Sequence, residues 1–119
     1  MDNKELLGEM GVDYQVTLPR FVDSEEFYIA MLKKFLEDDN QKKLNECLEN
    51  GNYEEAFTAA HTLKGVSGNL GLGILNDYIV PLTEELRNPP YDATAIHDYL
   101  QKVNDKYEIC VESIEKLQE

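Results

Sequence analysis

The chain has 119 residues, 42% of them hydrophobic and 29% charged, which is enough to bury one modest core without disulfides or a metal. Its 24 acidic and 11 basic residues give a net charge of -13, which argues against nucleic acid or an anionic membrane as a partner because both would be repelled. No apolar run reaches the roughly 20 residues that cross a bilayer, and the N-terminus lacks the layout of a signal peptide, so we expect a cytoplasmic protein.

Residues 1–22 are weakly patterned. Asp13 stands where it can cap a short helix, although Pro19 complicates the continuation of that helix. We expect this segment to pack on the main body as a lid.

From residue 24 onward, apolar side chains recur at spacings of three and four, which predicts five amphipathic helices. Capping-box pairs mark two helix starts and glycines mark two helix ends. The capping-box pairs are Asp23 with Glu26 and Asn52 with Glu55, and the glycines are Gly51 and Gly71. The predicted helices span about 24–37, 40–50, 53–70 and 72–87, and a long helix begins at about 93. Pro81 should kink the helix at 72–87. Short connections favour antiparallel neighbours.

The helix at 53–70 contains two glycines, Gly65 and Gly68, each of which costs about 1 kcal/mol relative to alanine. At about 100° per residue, both lie on the same face as His61, which should point outward. Small and apolar residues lie on the opposite face: Ala56, Ala59, Leu63, Val66 and Leu70. Glycines beside a histidine would let another protein's surface approach it closely.

Lys64, three residues after His61, can bring its ammonium group to the same imidazole. There it could balance the charge of a phosphoryl group on a ring nitrogen and help to keep the free imidazole neutral. The alternative is that His61 is an ordinary surface histidine, Lys64 is merely solvated, and the glycines serve helix packing. The grouping of these residues favours a functional site.

The segment from Ala60 to Gly71, AHTLKGVSGNLG, resembles the active-site helix of histidine-phosphotransfer (HPt) domains. Gly11 to Asp13, Leu18 to Phe21 and the helix from Ser24 look like the lead-in to such domains. The resemblance implies an all-α fold, an antiparallel, up-and-down four-helix bundle with additional N-terminal helices. The bundle would comprise the helices that start near residues 40, 53, 72 and 93. We expect one domain over 1–119, with 1–22 as a lead-in packed on the bundle.

The resemblance also implies a role in two-component phosphorelay signalling. His61 would accept a phosphoryl group from a receiver-domain aspartate or a kinase and pass it to another receiver, while Lys64 would stabilise its charge. The chain would be a carrier with no kinase or phosphatase site of its own. Its partners would be response-regulator receiver domains and a hybrid sensor histidine kinase. It would bind no cofactor or metal, because the receiver is expected to carry the magnesium ion.

Five positions are expected to meet a partner. Gly65 and Gly68 would allow access to the histidine, and Phe57, Thr58 and Asn69 border it on the helical wheel. The last three are also consistent with ordinary exposed helix positions.

Some members of the family place a glutamine on the next helix to contact the histidine. Thr83 and Glu84 are the positions here that would face it, and neither matches, so no role is assigned to them.

Other site chemistries have less support. A metal site from His61, His97, Cys47 and Cys110 lacks any short ligand spacing, and both cysteines are predicted to be reduced core residues. Ser67 should lie on the inner side of its helix with no base beside it. The main alternative is an unphosphorylated docking adaptor of the same fold. We expect a stand-alone monomer, although a domain cut from a larger sensor kinase would look the same.

Overall fold

The computed structural model describes residues 1–119 and consists of helices joined by short loops. The helices are α1 (Asn3–Glu9), α2 (Tyr14–Thr17), a 3₁₀ turn (Leu18–Phe21), α3 (Glu25–Phe35), α4 (Asn40–Glu49), α5 (Tyr53–Asn69), α6 (Gly73–Glu85) and α7 (Ala93–Lys116). The predicted all-α fold class is confirmed. None of these helices combines the length and the apolar character needed to span a bilayer.

The last four helices form an antiparallel bundle. The amide of Asn76, early in α6, donates to the carbonyl of Lys64 late in α5 at 3.2 Å. At the opposite end, Arg87 just beyond α6 lies over the ring of Phe57 early in α5. Because late residues of one helix meet early residues of the next, α5 and α6 run in opposite directions.

Side-chain amides join the first and last helices of the bundle. Asn45 on α4 and Asn104 on α7 exchange two hydrogen bonds of 2.9 and 3.0 Å, and Gln41 donates to the same Asn104 oxygen at 2.9 Å. This polar cluster leaves no buried side-chain polar atom without a partner. It therefore closes the bundle without the desolvation cost of an unpaired amide.

The core is apolar and continuous. Its 24 buried residues include Leu44, Leu63, Ile79 and Val103, one from each helix of the bundle and each with no exposed surface. Full burial of an aliphatic side chain contributes about 1.5–3 kcal/mol. On the inner face of α5 the buried residues agree with the prediction, except that Val66 is only half-buried.

Helix starts and ends follow the predicted pattern with one correction. The Asn52 side chain accepts from the Glu55 amide at 3.2 Å, and Gly51 and Gly71 have φ of 68° and 74°. The predicted capping box of Asp23 with Glu26 is wrong. The cap is the Ser24 hydroxyl, which accepts from the Phe27 amide at 3.1 Å, because Asp23 itself lies in a left-handed turn with φ of 57°. Pro81 lies inside α6, which nevertheless continues to Glu85.

The N-terminal segment lies against the bundle through both side chains and backbone. Leu6, Leu7 and Met10 are buried, and the amide of Ile74 donates to the Met10 carbonyl at 3.2 Å. Asp13 caps α2 by accepting from the amide of Val16, the third residue of that helix, at 3.3 Å. The chain then passes through Pro19 as a 3₁₀ turn rather than breaking there.

A close backbone contact fixes this docking. A Cβ on Gly73 would lie 2.5 Å from the carbonyl oxygen of Gly11, so the backbones can approach only because position 73 has no side chain. On α3, the Tyr28 hydroxyl donates to the Leu70 carbonyl at 2.6 Å in a buried position. The start of α6 is therefore held by the segment at Gly11, and the end of α5, the helix that carries His61, is held by α3.

Candidate functional site

His61 lies near the middle of α5 and its side chain is exposed, in agreement with the predicted outward orientation. The neighbouring Ala60 and Leu63 are both fully buried. Burial of these two side chains fixes the rotation of α5 about its axis. The helix cannot turn without exposing its apolar face, so the imidazole stays directed to solvent.

The two glycines leave space beside this imidazole. A Cβ on Gly65 would meet nothing within 4 Å, and a Cβ on Gly68 would meet only the amide nitrogen of Asn76, at 3.4 Å. Packing within the chain therefore does not explain Gly65, and it places only an ordinary contact at Gly68. The helix-packing alternative is wrong for Gly65, which leaves an open surface one turn after His61.

The backbone at Lys64 is held from the neighbouring helix. Its carbonyl accepts hydrogen bonds from the Asn76 amide at 3.2 Å and the Ser67 hydroxyl at 3.2 Å, and Asn76 also donates to that hydroxyl at 3.0 Å. Ser67 is fully buried, as predicted, and its hydroxyl serves this network. The Lys64 side chain is half-buried, and its ammonium group forms no hydrogen bond or ion pair.

An aromatic ring adjoins the imidazole, and a guanidinium group from the end of α6 adjoins that ring. The Phe57 ring stacks on the His61 ring with centroids 5.8 Å apart and planes inclined by 21°. The guanidinium carbon of Arg87 lies 5.2 Å from the centroid of the same Phe57 ring. This places Phe57 in direct contact with His61 and brings in Arg87, which the sequence reasoning did not include.

Arg87 is in turn held by Glu84. Its Nη2 and Nε atoms donate to the two carboxylate oxygens of Glu84 at 2.9 and 3.3 Å. These hydrogen bonds, followed by the charge of Arg87, hold the pKa of Glu84 below its usual value, and the charge of Lys64 lowers it further. The pair occupies positions i and i+3, a spacing that the sequence displays and that could have pointed to it.

The two positions proposed to face His61 from α6 behave differently. Thr83 is fully buried and its hydroxyl donates to the Ile79 carbonyl at 2.7 Å, so it does not reach the site. Glu84 is exposed and belongs to the cluster with Arg87.

The remaining predicted contact residues lie on other sides of the histidine. Thr58 is exposed and lines a surface groove toward α4 with Cys47 and Thr62. Asn69 is exposed at the end of α5, next to residues of α3. Of the three, Phe57 is the one whose ring stacks on the imidazole.

Arg20 holds the end of α5 that lies beyond the glycines. Its Nη1 atom donates to the carbonyls of Gly68 and Asn69 at 3.0 and 3.2 Å. Cationic groups at a helix C-terminus bind its free carbonyls and interact favourably with the helix dipole. Arg20 and Arg87 are the two arginines of the chain, and they lie at opposite ends of the exposed face of α5. No local pattern reveals Arg20, because its partners are 48 and 49 residues away.

The cysteines and histidines do not form a cluster. No group of three or more histidine, cysteine, aspartate or glutamate side chains is arranged to hold a metal ion. Cys110 is buried, which raises its pKa to about 12, and Cys47 is half-buried. A thiol with such a raised pKa stays protonated and unreactive at neutral pH.

The family model of the Hpt domain matches residues 28–106, which include α5, α6 and the site around His61. The chain therefore belongs to the Hpt-domain family. Members of this family are phosphocarrier modules of two-component phosphorelays and interact with receiver domains and histidine kinases. No curated protein and no solved structure matches the chain at a significant level.

Proposed function

We propose that this protein carries a phosphoryl group on His61, accepting it from the phospho-aspartate of a receiver domain or from a sensor kinase and passing it to a second receiver. The observation that carries the proposal is the exposed imidazole on a rigid helix, with open space at Gly65 and a free ammonium group at Lys64.

The chemistry needs little more than positioning. The unprotonated ring nitrogen of His61 attacks phosphorus, the bond from phosphorus to the aspartate oxygen breaks, and the aspartate leaves as a carboxylate. The other ring nitrogen carries the proton and releases it to solvent. Lys64 lies three residues away on the same helix, where its charge can offset that of the phosphoryl oxygens. The receiver would contribute the aspartate and its magnesium ion.

Surface geometry supports a protein donor and acceptor. A receiver must bring its own aspartate to within bonding distance of the imidazole, which requires close approach of two protein surfaces. Gly65 offers no side chain to obstruct this approach, and Gly68 follows three residues later, where a Cβ would meet only the Asn76 amide at 3.4 Å. We also retain the predicted cytoplasmic location and monomeric state as parts of the proposal, testable by cell fractionation and by light scattering of the purified protein.

The test is acid-labile labelling of the purified protein by a phosphorylated receiver domain, or by a sensor kinase with ATP and magnesium. Wild type should take up label and His61→Gln should not. His97→Gln is the matched control, because His97 is the other histidine and is exposed on α7. We expect this control to label like wild type.

Two outcomes would contradict the proposal. Equal labelling of wild type and His61→Gln would assign the phosphoryl group to another residue. No labelling by a cognate or a promiscuous donor would favour the second candidate, an adaptor that binds receivers without phosphorylation. The half-buried Phe57 and the open glycine face are compatible with such docking, so direct binding of a receiver to the His61→Gln variant would distinguish it.

A further inference from the structure

The carboxylate of Glu84 interacts with two cations, Lys64 on α5 and Arg87 just beyond α6. Arg87 donates to both of its oxygens at 2.9 and 3.3 Å, and Lys64 acts on the same carboxylate through its charge. In the unphosphorylated protein an anion is therefore already paired with the arginine that lies over Phe57, the ring that stacks on His61.

Arg87 is connected to the imidazole by stacked groups. Its guanidinium lies 5.2 Å from the centroid of the Phe57 ring, and that ring stacks on His61 at 5.8 Å. The Phe57 ring thus contacts both the guanidinium of Arg87 and the imidazole of His61. Since α6 ends at Glu85, Arg87 follows the helix and its long side chain can swing about this contact.

The ion pair is suited to exchange. Both partners are largely exposed, with side-chain accessibilities of 46% for Arg87 and 59% for Glu84, and exposed pairs at this spacing hold their geometry weakly. A phosphoryl group carries more charge than a carboxylate and offers three acceptor oxygens, which the fork of an arginine side chain binds well. When both anions are within reach, the guanidinium should prefer the phosphoryl oxygens.

We propose that Glu84 is a place-holder for the phosphoryl group: it holds Arg87 beside His61 while the imidazole is free, and releases Arg87 to the phosphoryl oxygens when His61 is phosphorylated. This inference rests on the proposed function of His61. Arg87 then acts as a second positioning cation beside Lys64, and Glu84 competes with the phosphoryl group for both. Removing Glu84 should favour phosphohistidine, and removing Arg87 should disfavour it.

The test uses phosphoramidate, a small donor that needs no protein partner. The bond from phosphorus to the amide nitrogen breaks, ammonia leaves, and phosphorus bonds to the imidazole of His61. The half-life of the phosphohistidine is then followed by phosphorus NMR. Relative to wild type, we expect Arg87→Gln to shorten it and Glu84→Gln to lengthen it, each by about threefold, the effect of gaining or losing a charge-assisted hydrogen bond at an exposed site.

A double variant tests whether Glu84 acts through Arg87. In the Arg87→Gln background, the effect of Glu84→Gln should fall to the smaller part that Lys64 transmits. Glu85→Gln is the matched control, because it removes the same charge one residue away and Glu85 has no bond to Arg87. An equal effect of Glu84→Gln in both backgrounds, or an equal effect of Glu85→Gln, would reduce Glu84 to a general negative charge and overturn the inference.

A spectroscopic signal separates this mechanism from a purely structural role. The chain has two arginines, so its Nε–H spectrum holds two signals, and Arg20 is bonded to backbone carbonyls away from Glu84. Phosphorylation should shift the Arg87 signal strongly and that of Arg20 little. If wild type loads on His61 but the Arg87 signal and the variants do not respond, only this inference fails. If wild type does not load on His61, the proposed function fails together with it.

Discussion

Gly65 offers a direct test of why a helix that must be stable contains glycine at its exposed centre. A Cβ at this position would meet nothing within 4 Å, so Gly65→Ala should stabilise the protein by about 1 kcal/mol through helix propensity alone. For a domain of this size the melting temperature should rise by about 4 °C. Positions four residues apart on a helix have Cβ atoms about 5–6 Å apart, so the longer side chain of Gly65→Gln can reach over the His61 imidazole.

The assay compares a protein donor with a small one. We expect Gly65→Gln to slow transfer from a phosphorylated receiver at least about tenfold, which corresponds to about 1.4 kcal/mol in the barrier, while phosphoramidate still labels it. Gly8→Ala and Gly8→Gln in α1 are matched controls, because a Cβ there also meets nothing within 4 Å. Unchanged transfer from the receiver to Gly65→Gln would refute the reasoning, since the docking face would then lie elsewhere. A loss of stability in Gly65→Ala would refute the packing argument.

Three further predictions concern the support of the site and can be checked by urea unfolding. Asn76→Ala removes the two hydrogen bonds that join α6 to α5 and should cost about 1–2 kcal/mol, whereas Ser67→Ala should cost less; equal costs would contradict the assignment of Asn76 as the link. Tyr28→Phe deprives a buried carbonyl of α5 of its 2.6 Å donor and should also cost about 1–2 kcal/mol, so a neutral effect would show that the carbonyl finds another partner. The unfolding free energy should fall as pH rises from 9.0 toward about 12, because the unfolded chain releases the Cys110 proton near 9.0 while burial raises the folded pKa to about 12. The slope should approach about 1.4 kcal/mol per pH unit, and Cys110→Ala should lack this contribution; identical slopes in the two proteins would contradict it.

The longer helices could be predicted from the sequence because their information is local. Apolar spacings of three and four placed a helix at about 40–50, and the structure has Asn40–Glu49. Adjacent capping residues are harder to separate. Asp23 and Ser24 can both cap a helix. Ser24 is the cap because Val22 and Asp23 form a left-handed turn, and the sequence has no glycine there to indicate such a turn. The seven-residue α1 could not be predicted with its bounds, because so short a helix depends on tertiary packing rather than on its own propensity.

The residues of the candidate site likewise differ in whether local sequence information is enough to place them. His61, Lys64, Gly65 and Phe57 share one helix, so a helical wheel is enough to group them. The groups brought by other elements could not be placed this way. Arg87 reaches the site only because α6 returns antiparallel to α5, and the distinction between a buried Thr83 and an exposed Glu84 depends on the rotation of α6 about its axis, which tertiary packing decides.

The outer and inner faces of α5 follow different rules, and the difference identifies the functional face. Two glycines within this helix cost about 2 kcal/mol together, yet the helix runs unbroken for 17 residues. The Asn52 cap offsets about 1 kcal/mol of this cost, and the two hydrogen bonds from Asn76 about 1 kcal/mol each. The Asn52 cap lies at the end of α5 and Asn76 lies on α6, and neither contact covers the surface at Gly65. The outer face is therefore free to keep a locally unfavourable sequence, which is expected where function rather than folding selects the residues.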